Sequence, residues 1–459
     1  MNNQPARTFV LISIIVTILV YMHFLPHVSV AGTQLRDVDI LSEVLPEVDG
    51  DKENDVIAKP VVPAAPVMTA KNETNGGEAA PAKKKPCPAG TTCVIDYSGG
   101  GAHGMSSFYR ALDNIAKMNR PVRVAYWGDS FIESDIMTTD LRALLQDKFG
   151  GNGVGWVDCG KTTNSARPTV RVATNGFTSH SVMERKTFTS SLQGISERYF
   201  TVAGSAQITL NGTTWNKHCG SWNTSSMYFK TGTPITITAT MNDGEQKSFS
   251  INASSQVQSV TVSGQMTKVK WSVSGAGNST QFYGTTLDPQ KGVVVDNFAM
   301  RGSAGMSLAG IPEQTMKDMA AKRPYDLLVL QFGLNATGPR STQKSLQNYV
   351  NQMTKVINML KRCYPNATIM IVSMSDRDQR VGGQIKTMKG VEELVSYQQM
   401  MAADNKVVFF NLWEAMGGNG GISKMAQQGM AGKDYTHINF KGGAYVAKKL
   451  FDGIMAVKQ

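Results

Sequence analysis

Pro121-Val122-Arg123-Val124-Ala125-Tyr126-Trp127-Gly128-Asp129-Ser130 is the stretch on which the reading of this chain turns. A proline opens a β-branched and aromatic run, which reads as a strand. The run ends at Trp127, and a glycine, an acid and a hydroxyl come next without a gap. Further on, Ile136 to Phe149 reads as a helix stopped by Gly150 and Gly151. Strand, loop with a potential nucleophile, then helix is the opening unit of an α/β fold.

The same alternation returns toward the C-terminus. Val293 to Asp296, Leu327 to Phe332, Thr368 to Val372 and Val407 to Phe410 read as strands. Helices are expected over Ile311 to Ala321, along Leu346, Val350, Met353, Ile357 and Leu360, over Val391 to Ala403, and from Gly443 to Val457. Continuous apolar strands between helices imply a parallel sheet covered on both faces. The expected core is therefore α/β, with a five-stranded parallel sheet built from 96–165 and 291–459.

Between these blocks the helical periodicity disappears. Residues 166–290 hold short β-type runs separated by turns such as Asn211-Gly212 and Asn242-Asp243-Gly244. An inserted β-sandwich suits them. Its Trp215, Trp222, Tyr228 and Trp271 are candidates either to stack on sugar rings or to fill the sandwich core.

The N-terminal part has a different character. Arg7 precedes an apolar run from Phe9 to Leu25, about 25 Å long as a helix. It reads as an uncleaved signal anchor, with Arg7 inside, or as a cleaved signal peptide, with Ser29 and Ala31 at the cleavage site. Residues 1–31 export the rest in both cases, to the periplasmic face of the inner membrane or free of it. Residues 32–95 read as a flexible linker, acidic at first and then rich in Pro and Ala.

The 459 residues carry 46 Lys and Arg against 35 Asp and Glu, a formal net charge of +11. That moderate excess does not indicate nucleic acid. One apolar segment excludes a polytopic membrane protein. Of five cysteines, Cys87 and Cys93 are close enough in sequence for a small loop disulfide, Cys159 and Cys219 could form a second, and Cys363 is left for burial. No Cys-x-x-Cys pair occurs, so a structural zinc site is not expected; no cofactor is expected either.

Four segments carry the candidate chemistry. Gly128-Asp129-Ser130 comes after the first strand, Arg301-Gly302-Ser303-Ala304-Gly305 after the second, and Gly333-Leu334-Asn335 after the third; Asp434-Tyr435-Thr436-His437 precedes the last helix. In open α/β sheets, ligands bind outside the carboxyl ends of the strands. Each segment alone reads as a turn or a cap; together they suit acyl transfer. Ser130 would be the nucleophile, His437 its base and Asp434 the acid that orients the base. Gly302, Asn335 and the N–H of Ser130 would supply oxyanion donors. Asp376, Arg377 and Asp378 come after the fourth strand; they could line the cleft, but read more simply as solvated loop charges.

In this order the four segments resemble the SGNH (GDSL-like) hydrolases, whose sheet is flavodoxin-like. Gly128 to Asp135, Leu141-Arg142 and Phe149 to Trp156 narrow the resemblance to bacterial cell-envelope O-acetylesterases with an inserted carbohydrate-binding-like domain. The resemblance implies a serine esterase removing O-acetyl groups from a glycan, peptidoglycan first, or a glycan O-acetyltransferase using the same acyl-enzyme. It also implies a membrane-bound O-acyltransferase as a partner. A non-catalytic glycan-binding protein is the alternative of another class. One departure stands out: the usual Gly-x-Asn-Asp reads Gly333-Leu334-Asn335-Ala336, which leaves the support of that loop open.

Overall fold

The computed structural model describes residues 57–64 and 87–458, and the backbone of Ser29–Val30 paired with Thr33–Gln34. The chain divides into units 1–56 and 57–459. The run Phe9 to Leu25 and most of the expected linker lie outside the described residues. Among the described residues, no helix is long and apolar enough to cross a membrane.

The second unit opens with a short strand β1 (Ile95–Asp96), then α1 (Met105–Asp113), β2 (Val122–Gly128) and α2 (Thr138–Phe149). A long β-rich stretch is next: β3 (Gly155–Val157), β4 (Val170–Ser181), β5 (Arg198–Gly212), β6 (Trp222–Thr231), β7 (Ile235–Met241), β8 (Gln246–Ile251), β9 (Ser254–Met266), β10 (Lys268–Ala276) and β11 (Thr280–Asp288). Alternation then resumes with β12 (Val293–Ala299), α3 (Glu313–Lys322), β13 (Leu327–Gln331), α4 (Gln343–Cys363) and β14 (Thr368–Val372). A hairpin β15 (Asp378–Val381)/β16 (Gln384–Thr387) precedes α5 (Val391–Asp404), β17 (Val408–Phe410), α6 (Leu412–Ala415), α7 (Gly421–Gln427) and α8 (Phe440–Ala456).

The central sheet runs β12-β2-β13-β14-β17, all parallel, with β1 antiparallel at the edge. Taking the parallel strands in chain order, this is 2-1-3-4-5, the flavodoxin order, with its switch point between β2 and β13. Every residue of β13 and β14 is buried. Successive side chains of a strand face opposite ways, so both faces are covered. On α4 the buried residues Leu346, Val350, Met353, Ile357 and Leu360 form the predicted stripe, and Thr342 and Ser345 close a capping box at its start.

The β-rich stretch is antiparallel. Its pairings give β8-β7-β10-β5-β4 and β9-β6-β11-β3, joined by one pairing, Phe282 with Phe200. Residues from both halves, including Phe200, Ile208, Trp222, Phe229, Trp271 and Phe282, share one apolar core. The indole of Trp271, on one half, donates to Ser225 Oγ on the other at 3.1 Å. The sandwich recruits β3, before residue 166, by pairing it with Thr285 to Leu287 of β11.

The sandwich and the sheet are fastened together. Trp156, Ile195, Tyr199, Tyr228 and Tyr283 belong to the core of the sheet rather than that of the sandwich. Trp127 donates its indole N–H to Ile195 O at 2.8 Å. Arg323, fully buried after α3, binds Asp288 at the end of β11 and Asp296 in β12 at 2.5–2.9 Å. Leaving either acid unpaired in such a place is costly.

Two expectations need correction. Cys87 and Cys93 form a disulfide, but Cys159 and Cys219 are both free and buried in the sandwich. Cys219 Sγ donates to Asn216 Oδ1 instead. Within the stretch read as a linker, Ile57 is buried in the sheet core, Lys59 pairs with Glu392, and β1 extends the sheet beside β17.

Candidate active site

The end of β2 determines where Ser130 stands. Gly128 admits no side chain: a Cβ there would lie 2.9 Å from Ile132 and 3.0 Å from Gln331 O. Asp129 then turns the chain, its buried Oδ1 accepting from the Phe131 N–H at 2.9 Å. Burial pushes this carboxyl up to about 6. Ser130 opens a 3-10 turn through Asp135, in which Ser134 and Asp135 take left-handed φ of 56° and 64°. Asp135 holds that turn. It is fully buried and bound by Arg142, Arg167, Thr169 and Asn297. Burial alone would raise its pKa, but the two guanidiniums hold it well below the usual carboxylate range.

The closing segment is a tight turn with Tyr435 at φ 50°. Asp434 Oδ1 accepts from the N–H groups of Thr436 and His437, and Oδ2 meets His437 Nδ1 at 2.7 Å. These bonds pull the acid below its ordinary value despite some burial. A carboxylate can only accept, so Nδ1 carries the hydrogen. That leaves His437 Nε2 to accept from Ser130 Oγ, 2.9 Å away. The structure therefore brings Ser130, His437 and Asp434, far apart in sequence, into one hydrogen-bonded chain. Asn439, two residues on, caps α8 by accepting from the Gly442 N–H and so fixes the exit from the turn.

Gly302 and Asn335 meet at the same sheet edge. Gly302 has φ 81°, and both residues are exposed. Asn335 Nδ2 donates to Ser303 O at 3.0 Å, which uses one of its two hydrogens and fixes the amide. Glu133, in the Ser130 turn, accepts from Arg301 Nε at 2.7 Å and so ties that turn to the Gly302 loop. The Asp missing after Asn335 is answered elsewhere: Arg377 Nη1 donates to Leu334 O at 2.9 Å.

Asp376, Arg377 and Asp378 are thus not solvated loop charges. Asp376 and Asp378 are buried, and share the hydroxyl of Thr387. Asp376 also accepts from the Ile422 N–H at 3.0 Å, and burial raises its pKa to about 6. The Asp378 N–H donates to Tyr435 O at 3.0 Å, inside the histidine turn. Their sequence signal was the position after the fourth strand; nothing local indicated their burial. Glu197, buried beneath Ser303 and Ser307, had no sequence signal at all.

Other candidates separate clearly. Trp222, Tyr228 and Trp271 are buried, whereas Trp215 is 47% exposed and leans on Phe440 at the start of α8. His218 pairs with Asp147 at 2.6 Å, an arrangement in which Nε2, not Nδ1, faces the acid, and among the described residues no serine bonds its other nitrogen. Among the described residues no three His, Cys, Asp or Glu side chains come together to hold a metal ion.

No family model matches the chain, and none of the curated proteins matches it. Among solved structures it is similar to a peptidoglycan O-acetylesterase: TM-score 0.65 and 19% identity, covering 80% of this chain and 99% of that one. Matches to family two carbohydrate esterases from Cellvibrio japonicus (11% identity, TM-score 0.20, 52% and 88% covered) and from Corynascus thermopiles (11%, 0.26, 55% and 94%) are too distant to bear on the fold. At 19% identity, the chain shares the fold of a peptidoglycan O-acetylesterase.

Proposed function

We propose that this chain is an exported serine esterase that removes O-acetyl groups from a cell-envelope glycan through an acyl-enzyme on Ser130. The observation that carries the reading is the chain Asp434–His437–Ser130, at 2.7 and 2.9 Å. His437 Nε2 takes the hydroxyl proton as Ser130 Oγ attacks the acetyl carbonyl. The developing oxyanion meets the N–H groups of Gly302 and Ser130 and the free hydrogen on Asn335 Nδ2. His437 then returns the proton to the departing sugar oxygen. A water takes the same route in reverse, and acetate leaves. Asp434 keeps the imidazole in the required tautomer and stabilises the imidazolium.

Peptidoglycan as substrate rests on the resemblance and on the structural neighbour of that activity. Export rests on the Phe9 to Leu25 run and is supported by the Cys87–Cys93 disulfide, a feature of oxidising compartments. A membrane-bound O-acyltransferase as donor of acetyl groups belongs to the same reading, on the resemblance alone.

Acetate release by the purified full-length protein from O-acetylated peptidoglycan, with and without an acceptor sugar, tests this. Hydrolysis without acceptor supports the esterase. Acetyl appearing on the acceptor while free acetate stays low assigns a transferase. Ser130→Ala should cut turnover by about 10⁵ or more in either case. An alanine variant that folds and still turns over would remove Ser130 from the mechanism.

A further inference from the structure

One acidic side chain of the inserted region reaches the sheet edge beneath the site. Glu197 stands just before β5, is 0% exposed, and has φ 60°. Its Oε1 accepts from Ser303 Oγ at 3.4 Å and from Ser307 Oγ. Its Oε2 is buried with no hydrogen-bond partner. Ser303 is the residue after Gly302. Its Oγ accepts from the Gly305 N–H at 3.0 Å, and its carbonyl receives the Asn335 amide.

We propose that Glu197 is a positioning residue of the oxyanion hole, holding Ser303 and Ser307 so that the Gly302 N–H and the Asn335 amide point at the developing charge. The proposal rests on the acyl-transfer reading above. Asn335 has one side-chain hydrogen committed to Ser303 O, so the position of that carbonyl sets the direction of the other. The carbonyl, in turn, belongs to a residue whose hydroxyl is tied to Glu197. Donor placement matters at this scale: a misplacement of about 1 Å can cost roughly 10² in rate.

The surroundings argue that the side chain, not the backbone around it, carries this task. The turn that bears Glu197 is fastened independently. The Glu197 N–H donates to Gly194 O and the Gly194 N–H to Arg198 O, each at 3.0 Å. Gln193 Nε2 reaches Ser307 O at 3.0 Å, Trp127 binds Ile195 O, and Arg198 Nη2 binds Ala299 O at 3.0 Å. An apolar residue at 197 would leave these ties in place. A left-handed non-glycine residue with an unpartnered buried oxygen is strained and under-satisfied. Burial also pushes this carboxyl up to about 7. Such costs persist where a specific geometry is required.

The test is kinetic, on the full-length protein. Glu197→Leu should lower kcat on a soluble acetyl ester at least tenfold and leave KM within about twofold, because the ground-state carbonyl carries little charge. Glu197→Gln keeps an acceptor for both hydroxyls and should retain kcat within about threefold. In an Asn335→Ala background, Glu197→Leu should cost less than threefold more, since its effect runs through the missing donor. Should Glu197→Leu fail to fold, Ser303→Ala carries the same comparison: a kcat loss that shrinks in the Asn335→Ala background supports the proposal. A Glu197→Leu or Ser303→Ala loss that multiplies fully with Asn335→Ala overturns it. So does a variant with reduced melting temperature and unchanged kcat. These outcomes are read against Asn335→Ala and Ser130→Ala alone: if those two keep full turnover, the acyl-transfer reading itself fails, whereas their loss with no Glu197 coupling removes only the present proposal.

Discussion

Strand β13 and strand β9 show how differently the two halves of the molecule are made. All of Leu327 to Gln331 is buried, because helices cover both faces of the parallel sheet. Along Ser254 to Met266 the buried residues are Val257, Val260, Val262 and Met266, with exposed polar residues between them. Val260, Val262 and Met266 meet the sandwich core, whereas Val257 is buried in the core of the sheet half. Yet the two halves are not independent parts. The sheet presents Ser130, Gly302 and Asn335 on loops, and the sandwich edge lies directly beneath the second of these. The sandwich contributes Glu197, Ile195 and Asp288 to contacts with the sheet, and each is internal. An inserted region can therefore carry part of the support of a candidate site whose proposed reacting groups all belong to the host.

The strongest way to break this comparison is to excise residues 166–290 behind a short linker. A detachable binding module would leave hydrolysis of a small soluble ester intact and reduce only the action on polymer. The contacts of Trp127 and Arg323 predict instead that both activities disappear together, measured on p-nitrophenyl acetate and on acetylated peptidoglycan. Retained small-ester activity would show that the ties are dispensable. Next in size is Asp434→Asn, confined to the sheet half. Holding the wrong tautomer of His437 should lower kcat by about 10⁴ while the melting temperature stays near that of the parent protein. A much smaller loss would mean that another group can orient the imidazole.

Arg323→Met tests the seam itself. It leaves Asp288 and Asp296 buried without their partner, and should cost about 3–5 kcal/mol in denaturant unfolding. A cost under 1 kcal/mol would show that the two halves hold together without this ion cluster. The smallest expected effect is a dependence on pH. The folded-state pKa of Glu197, near 7, lies above the ordinary 4.5, with burial as the cause and Arg198 the charged neighbour acting against it. The stability that this group contributes is fully present below about 4.5 and is lost as pH rises through about 7. Glu197→Gln lacks that titration. The parent should therefore lose on the order of 3 kcal/mol relative to the variant between pH 4 and 8. Parallel stability curves for the two proteins would contradict it.

Much of the sheet half was legible because burial on both faces leaves an unbroken apolar run, as in Leu327 to Phe332, and one-sided helices leave a stripe, as in α4. The sandwich was less so. Val170 to Ser181 alternates with polar residues and a glycine, and Trp222 to Thr231 holds serines and threonines at buried positions, so neither carried a strand signal of its own. The runs 198–202 and 207–210 proved to be one strand, β5: the small exposed residues Ala203, Gly204 and Ser205 break the apolar pattern at an irregularity in the pairing, and the strand continues through it. At the candidate site, Ser130, Gly302 and Asn335 were legible through their places after strands, and Asp434 with His437 through their spacing just before the last helix. Asp376 and Asp378 were not, because carboxylates in a loop look solvated until the backbone N–H groups and hydroxyls that receive them are known.

Arg377 and Asp378 have a consequence for how the site responds to heat. The guanidinium of one grips the loop of Asn335, and the peptide nitrogen of its neighbour grips the turn of His437. Two elements of the candidate site that are remote in sequence thus share one dipeptide among their supports. Thermal displacement of that dipeptide would disturb the turn of His437 and the loop of Asn335 together. Inactivation on warming should then be a single event in which the turn of His437 and the loop of Asn335 lose their places at the same temperature.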